Sequence, residues 1–401
     1  MDFYGYMRPN GKAGARNYVL LLPVNRSLNF IASNVERMTR NTHHFEIPAE
    51  TGRTEVDREV IARTLIGLMN NANVGGIVLL AVKSGAGSAY KNMCAERFEE
   101  EARKTGKPFR IVYLTNVGGS YNMLGETLRL TREVLLEVSD FRRENCPLSA
   151  LTRGVKCGTS DATSGIAGNP CVGAAFDQLI RAGGTAFFSE TTEIIGAEDL
   201  VAKRAVNESV AKKILSAARH WEDKAKATGE DIRKINPIPA NIAAGISSLE
   251  EKSLGAIAKS GTSPIQDVLK YAEMPKGSGL YFVDSWMSSL SLPLCLTACG
   301  ATIMLYQMGG GKIAQHPMMP SINPTVVSPF LYLTGNAIAY SRAPDNFDFD
   351  ASPIMTEGAS IPEMGTKLLE HLSAIASGTM TKMETLNYAE QLELYMEGPV
   401  L

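Results

Sequence analysis

The ten residues KCGTSDATSG, Lys156 to Gly165, bring a cysteine, a carboxylate, several hydroxyls and glycines together with almost no apolar content. Cys157 and Asp161 can bind a metal or move a proton. Ser160, Thr163 and Ser164, with Asn169 a few residues on, can turn hydroxyls and backbone N–H groups toward an anionic ligand at the start of a following helix near Pro170. The same residues also suit Asx and Ser/Thr turns that cap the helix. A cap needs one such residue, however, and this stretch supplies five.

Three further polar clusters lie downstream. In SETTEIIGAEDL, Glu190 ends the apolar run TAFFSE and Glu193 follows three residues later; two carboxylates beyond a strand suit a divalent cation or a general base. Glu193, Glu198 and Asp199 also favour the positive start of the next helix. NIAAGISSLEEKSLGAIAKSG carries Glu250, Glu251, Lys252 and Lys259, by spacing alone a solvated helix face, with Ser248 and Glu251 placed as a capping box. QMGGGKIAQHPMMP offers Lys312 and His316 after three glycines that let a ligand approach the backbone, without the spacing of a P-loop. His43 and His44 sit in a polar stretch and are weaker candidates, and Cys295 and Cys299, four apart in an apolar run, read as core.

These clusters need a frame. NYVLLLPV, GGIVLLAV and FRIVYLTN are short apolar runs separated by amphipathic stretches such as DREVIARTLIGLMNNA. That alternation predicts a Rossmann-like α/β domain with a parallel sheet over residues 1–146. No GxGxxG follows the first run, so no dinucleotide site is expected. Residues 147–401 predict a larger α/β catalytic domain with a mostly parallel sheet, its helices including VGAAFDQLIRAG and a stretch from about Ser247, its strands TAFFSE and GLYFVDS.

Composition narrows the function. The chain has 401 residues, 44% hydrophobic and 20% charged, with a formal net charge of -2, so neither a nucleic acid nor a membrane is the expected partner. Six scattered cysteines without a CxxC pair, and an opening with no apolar leader, predict a reduced, cytoplasmic protein.

The words CGTSDATSG, NPCVG, GGTAFFSETTEIIGAEDL, NIAAGISSLEEKSLGAIAKSG and GLYFVDS, in this order, with GYMRPNGKAGARNY at the start, resemble the altronate/galactarate dehydratase family. VKCGTSDATSG, SETTEIIGAEDLV and IPAETGR are similar to its sulfolactate sulfo-lyase large-subunit branch. The sugar-acid dehydratases begin with a small SAF domain; this chain starts at the large region, which implies a large subunit with a separate small SAF-type partner, in a homo- or hetero-oligomer. Where those dehydratases carry cysteines near the first strands, Arg26, Gly52–Arg53 and Ser84 stand here. The resemblance implies a lyase: metal-assisted β-elimination, as dehydratase or sulfo-lyase, from a small anionic 2-hydroxy acid to a 2-oxo acid. It implies a divalent metal (Fe, Mn or Mg) on Cys157, Asp161, Glu190 and Glu193, and catalytic roles for Cys157, Asp161, Glu251 and Lys252, with Lys259 as an alternative cation or base. Arg26 and Arg53 would meet an anionic group of the substrate. The competing expectation is a non-catalytic scaffold or binding subunit of a lyase complex.

Overall fold

The computed structural model describes residues 2–83, 90–310, 323–386 and 393–399. Its strands, in chain order, are β1 (Asp2–Met7), β2 (Ala13–Gly14), β3 (Tyr18–Pro23), β4 (Thr42–His44), β5 (Val74–Ala81), β6 (Phe109–Tyr113) and β7 (Glu144–Pro147). There follow β8 (Thr152–Gly158), β9 (Thr185–Phe188), β10 (Ile265–Leu269), β11 (Gly279–Val283), β12 (Ile303–Met308), β13 (Phe330–Thr334) and β14 (Phe349–Asp350).

The unbroken apolar runs become strands covered on both faces. β3 and β5 sit at the centre of a four-stranded parallel sheet in the order β4-β3-β5-β6. A seven-stranded parallel sheet, β10-β11-β9-β8-β12-β13-β14, forms the second half. The fold is α/β, as expected. A small antiparallel sheet, β2-β1-β7, returns the start of the chain to the junction between the halves, with Asp2 opposite Pro147 and Gly5 opposite Glu144.

One hydrophobic core runs between the two halves. Leu65 and Leu68 of helix Glu55–Asn70 share it with Leu292, Cys295 and Cys299 at helix Ser291–Ala298, so the two cysteines are core residues. Gly67 makes this approach feasible: a Cβ there would stand 2.2 Å from the Ala298 carbonyl oxygen. Two buried asparagines bind the same joint. Asn71 Nδ2 donates to the carbonyls of Thr297 and Ala301 at 2.9 Å, and Asn73 Nδ2 donates to that of Thr302 at 2.8 Å.

The order of the large sheet creates the site. From β8 the chain crosses to β9 on one side, and it later returns to β12 on the other. Connections leaving β8 and β12 therefore diverge, and a crevice opens beyond their carboxyl ends. KCGTSDATSG belongs to this place: Lys156–Gly158 finish β8, and Thr159 onward enters the crevice. A strand is not evident in TRGVKCG because Arg153 and Lys156 interrupt the apolar pattern, yet both side chains are buried. Ahead of the helix expected from about Ser247, the stretch NPIPANIAAG contains the short helix Pro239–Ala243.

Loops from β8, β12 and β13 close over one another. A Cβ on Gly309 would lie 2.3 Å from the Thr159 carbonyl oxygen and 2.9 Å from Asp161 N, and one on Gly335 would lie 2.6 Å from Gly168 N. Gly309→Ala is therefore expected to destabilise the protein by about 1–3 kcal/mol in urea unfolding. A stability equal to wild type would show that these loops do not pack this closely.

Candidate active site

Two groups of side chains gather at the carboxyl end of β8. On the β9 side lies a buried charge network. Cys157, Glu190 and Glu193 bring one ligand atom each to within 4.8 Å of one another. At their focus is Lys259, whose Nζ is 3.1 Å from Cys157 Sγ, 2.9 Å from Glu190 Oε2 and 2.7 Å from Glu193 Oε2. Lys156 Nζ donates to Glu190 Oε1 at 2.6 Å and to the Cys157 carbonyl, and lies 5.2 Å from the centroid of the Tyr306 ring. The Cys157 thiol donates to Glu193 Oε2 at 3.1 Å. All five side chains are buried.

The local chain explains the convergence. Cys157 is the penultimate residue of β8, and Glu190 stands two residues beyond the end of β9. Glu190 adopts φ 74, a left-handed conformation that is unusual for a residue with a side chain and marks a place where surroundings dictate the backbone. Thr159, just beyond Cys157, has φ 49. Lys259 reaches in from the turn that ends helix Leu249–Ile257.

The charges set one another. Burial alone would raise the Glu193 carboxyl, but Lys259, Lys156 and Lys252 hold it down at about 2. Burial would lower the Lys259 ammonium, and Cys157, Glu190 and Glu193 instead keep it well above its ordinary value. The Cys157 thiol is pushed up, first by burial and then by Glu193.

Between the β8 loop and helix Leu249–Ile257 a cleft of about 290 Å³ is lined by Ser160, Asp161, Ser164, Asn169, Glu251 and Lys252, with Ile166, Ile246 and Leu254. Asp161 is held by its own loop and by the β13 loop. Its Oδ1 accepts from Thr163 Oγ1 at 2.6 Å and Ser164 N at 3.1 Å, and its Oδ2 accepts from Asn336 Nδ2 at 2.9 Å. A π-helical turn, Ser164–Gly168, joins this loop to helix Asn169–Arg181. Such turns recur at functional sites. Asn169 Nδ2 donates to the Gly255 carbonyl at 2.9 Å, while its Oδ1 is buried with no hydrogen-bond partner among the described residues.

Lys252 is the cation of the cleft. It is buried, and its Nζ donates to Asn236 Oδ1 at 2.7 Å and Asn241 Oδ1 at 3.2 Å. Asn241 in turn donates to the Ser160 carbonyl at 2.9 Å. Among the described residues, no carboxylate pairs with Lys252. Glu251 stands at the rim, exposed, and serves the helix start: its Oε2 accepts from Ser247 N at 2.7 Å while its own N–H donates to Ser248 Oγ.

The residues singled out in the sequence thus divide. Ser160, Asp161, Ser164, Asn169, Glu251 and Lys252 share the cleft, and Thr163 braces Asp161. Cys157, Glu190 and Glu193 form the buried trio, and Asp161 lies outside it. Arg26 is exposed, and Arg53 is half-buried with its carbonyl bonded to Arg58; neither lines the cleft. His44 pairs with Glu36 at β4, also away from the cleft. Lys312, His316 and Ser84 lie outside the described residues. Lys156, Asn236, Asn241 and Asn336 were not anticipated; a lysine inside a strand's last turns and an asparagine just after one, in LTGN, are the signals that point to two of them. A larger groove, of about 1240 Å³, runs between helix Glu208–Ala227 and the edge strand β10, and contains none of these residues.

A divalent ion does not fit the trio as it stands. The lone pairs that an ion would use are directed at the Lys259 ammonium, and the Cys157 sulfur lies 3.1 Å from the Glu193 carboxylate, which disfavours the thiolate a metal binds.

Against known proteins, residues 148–399 match the model of the D-galactarate/altronate dehydratase C-terminal region, and residues 5–139 match that of the second domain of D-galactarate dehydratase/altronate hydrolase. The chain belongs to the altronate/galactarate dehydratase family. It is 32% identical to the (2R)-sulfolactate sulfo-lyase subunit beta of Chromohalobacter salexigens, over 97% of this chain and 96% of that one. It is 30% identical to the galactarate dehydratase (L-threo-forming) of Escherichia coli, over 99% of this chain and 77% of the relative. The altronate dehydratase of Bacillus subtilis is 29% identical, over 100% and 78%.

Removing one charge from the network leaves others buried without a partner. Glu190→Ala is expected to cost about 3–5 kcal/mol in denaturant unfolding; a loss below 1 kcal/mol would mean that the two lysines are not confined as described. Because the folded Glu193 carboxyl titrates below its unfolded value of 4.5, its contribution is fully present above that pH and is lost as pH falls toward 2. The acid limb of unfolding is therefore expected to flatten in Glu193→Gln. In the native protein a thiol reagent is expected to modify the half-exposed Cys94 and to spare Cys157, which reacts only after unfolding.

Proposed function

We propose that this chain, an enzyme of the lyase class, removes the proton α to the carboxylate of a small anionic 2-hydroxy acid and expels a β substituent. The reaction occupies the cleft between Asp161 and Lys252. The observation that carries this reading is Lys252, a buried ammonium with no carboxylate partner among the described residues, facing a cleft of small-molecule size. A cation in this setting meets the carboxylate of a substrate and gains strength as charge builds on it during deprotonation. The orphan Asn169 Oδ1 can accept from a substrate hydroxyl.

The steps balance without an oxidant. A base takes the α-proton, the C–H pair becomes a Cα=Cβ bond, and the β group leaves with its bonding pair. The resulting enol then takes a proton at Cβ to give the 2-oxo acid. Asp161, held in place by Thr163, Ser164 and Asn336, is the base we assign. Lys252 offsets the enediolate charge. The similarity to a sulfo-lyase subunit and to two dehydratases supports elimination and leaves two leaving groups, sulfite and water. The word subunit in the name of the first relative supports a partner chain, which we propose to be a small SAF-type protein. The divalent ion expected from the sequence finds no place in the trio, and none of these steps is assigned to one there.

The test uses the full chain co-purified with its small partner and a panel of 2-hydroxy acids bearing a β-hydroxyl or β-sulfonate. Release of 2-oxo acid is expected from at least one class, and sulfite assay tells the classes apart. Asp161→Asn and Lys252→Met are each expected to lower kcat/KM by about 10²–10⁴-fold while circular dichroism is unchanged. Activity that survives both substitutions would place the chemistry elsewhere and favour a scaffold role.

A further inference from the structure

We infer that the Cys157–Glu190–Glu193 trio is an ammonium site, with Lys259 as its resident cation, and not a metal centre. The trio has a donor set of the kind that holds divalent ions, one sulfur and two carboxylates with ligand atoms within 4.8 Å. The family resemblance placed a divalent ion on these residues together with Asp161. Three features of the structure oppose that assignment.

The first is stoichiometry of hydrogen bonds. A lysine ammonium has three N–H donors and no acceptor. Lys259 has three acceptors within reach, Cys157 Sγ, Glu190 Oε2 and Glu193 Oε2, at 3.1, 2.9 and 2.7 Å. Every donor is matched, and each of the three atoms that would ligate an ion is already turned to the nitrogen. The second is the surroundings of the sulfur. Cys157 Sγ lies 3.1 Å from Glu193 Oε2, a contact that suits a thiol and that like charge opposes for the thiolate a metal would bind.

The third is charge. Lys156 and Lys259 stand against Glu190 and Glu193, two ammonium groups for two carboxylates, all sealed from solvent. A divalent ion added to this balanced set would leave net positive charge in the interior even after Cys157 lost its proton, which a buried site does not tolerate. Removing Lys259 reverses the count. Two carboxylates and a thiolate then balance Lys156 and one divalent ion.

The inference does not depend on the lyase reading or on the identity of the acid, because its test reads metal binding and not turnover. Cobalt(II) is the probe. The full chain, reduced and freed of metal, is titrated with cobalt and followed in the near ultraviolet, where thiolate-to-cobalt charge transfer absorbs. Wild type is expected to show no such band, and Cys157→Ser is expected to retain the same amount of cobalt as wild type. Lys259→Ala is expected to gain one cobalt per chain with the band, and the further change Cys157→Ser is expected to remove it. A charge-transfer band in wild type that Cys157→Ser abolishes would overturn the inference, because an ion would then displace Lys259. A folded Lys259→Ala chain without the band would overturn it too. Should that variant fail to fold, the wild-type and Cys157→Ser titrations still decide the matter.

Discussion

Two lysines and two glutamates share an enclosed volume at the end of the large sheet, and the placement of everything around them follows from keeping those four charges paired. Buried ions are costly unless geometry and hydrogen bonds are nearly complete. Here Lys259 satisfies three acceptors, Lys156 bridges Glu190 and the Cys157 carbonyl, and Glu190 pairs with both lysines. The network joins β8, the segment just past β9 that carries Glu190 and Glu193, and the turn after helix Leu249–Ile257, three segments distant in sequence. The left-handed backbone of Glu190 is the local cost of this arrangement.

The same joint positions the cleft. Helix Leu249–Ile257 is fixed at its end by Lys259, and Lys252, near its start, is thereby set opposite the β8 loop. Asn236 and Asn241 hold the Lys252 ammonium without neutralising it, because amide oxygens accept hydrogen bonds but carry no net charge. The result is a division of labour between two neighbouring groups. The paired charges around Lys259 serve rigidity, and the Lys252 ammonium, without a paired carboxylate among the described residues, is left to meet an anion.

Much of this was legible in the residues. The central strands of the four-stranded sheet, β9 and β11 of the large one, the helix capped by Ser248, and the clustering of polar residues after β8 and β9 all follow from period, punctuation and turn chemistry. The glycines and hydroxyls of KCGTSDATSG pointed to the crevice loop because so many short polar residues exceed what one helix cap uses. Other elements were hidden. β8 did not read as a strand, since Arg153 and Lys156 break its apolar run. Lys252 and Lys259 read as a solvated face, since charged residues at helical spacing are usually exposed, and periodicity carries no information about what a particular face packs against.

The amino-acid sequence on its own determined the α/β class, the family and the set of residues from which the site is built, because these depend on local pattern and on long shared words. Only the tertiary structure decided how that set divides. Cys157 and Asp161 are four residues apart, and the family resemblance makes them joint ligands. The fold separates them: Cys157, in β8, meets Glu193 and Lys259, while Asp161, in the loop beyond, meets Asn336 and the cleft that Lys252 lines. Which carboxylate is already neutralised and which cation is still free for a ligand depend on distances across the fold, and those distances are set by sheet order and not by spacing along the chain.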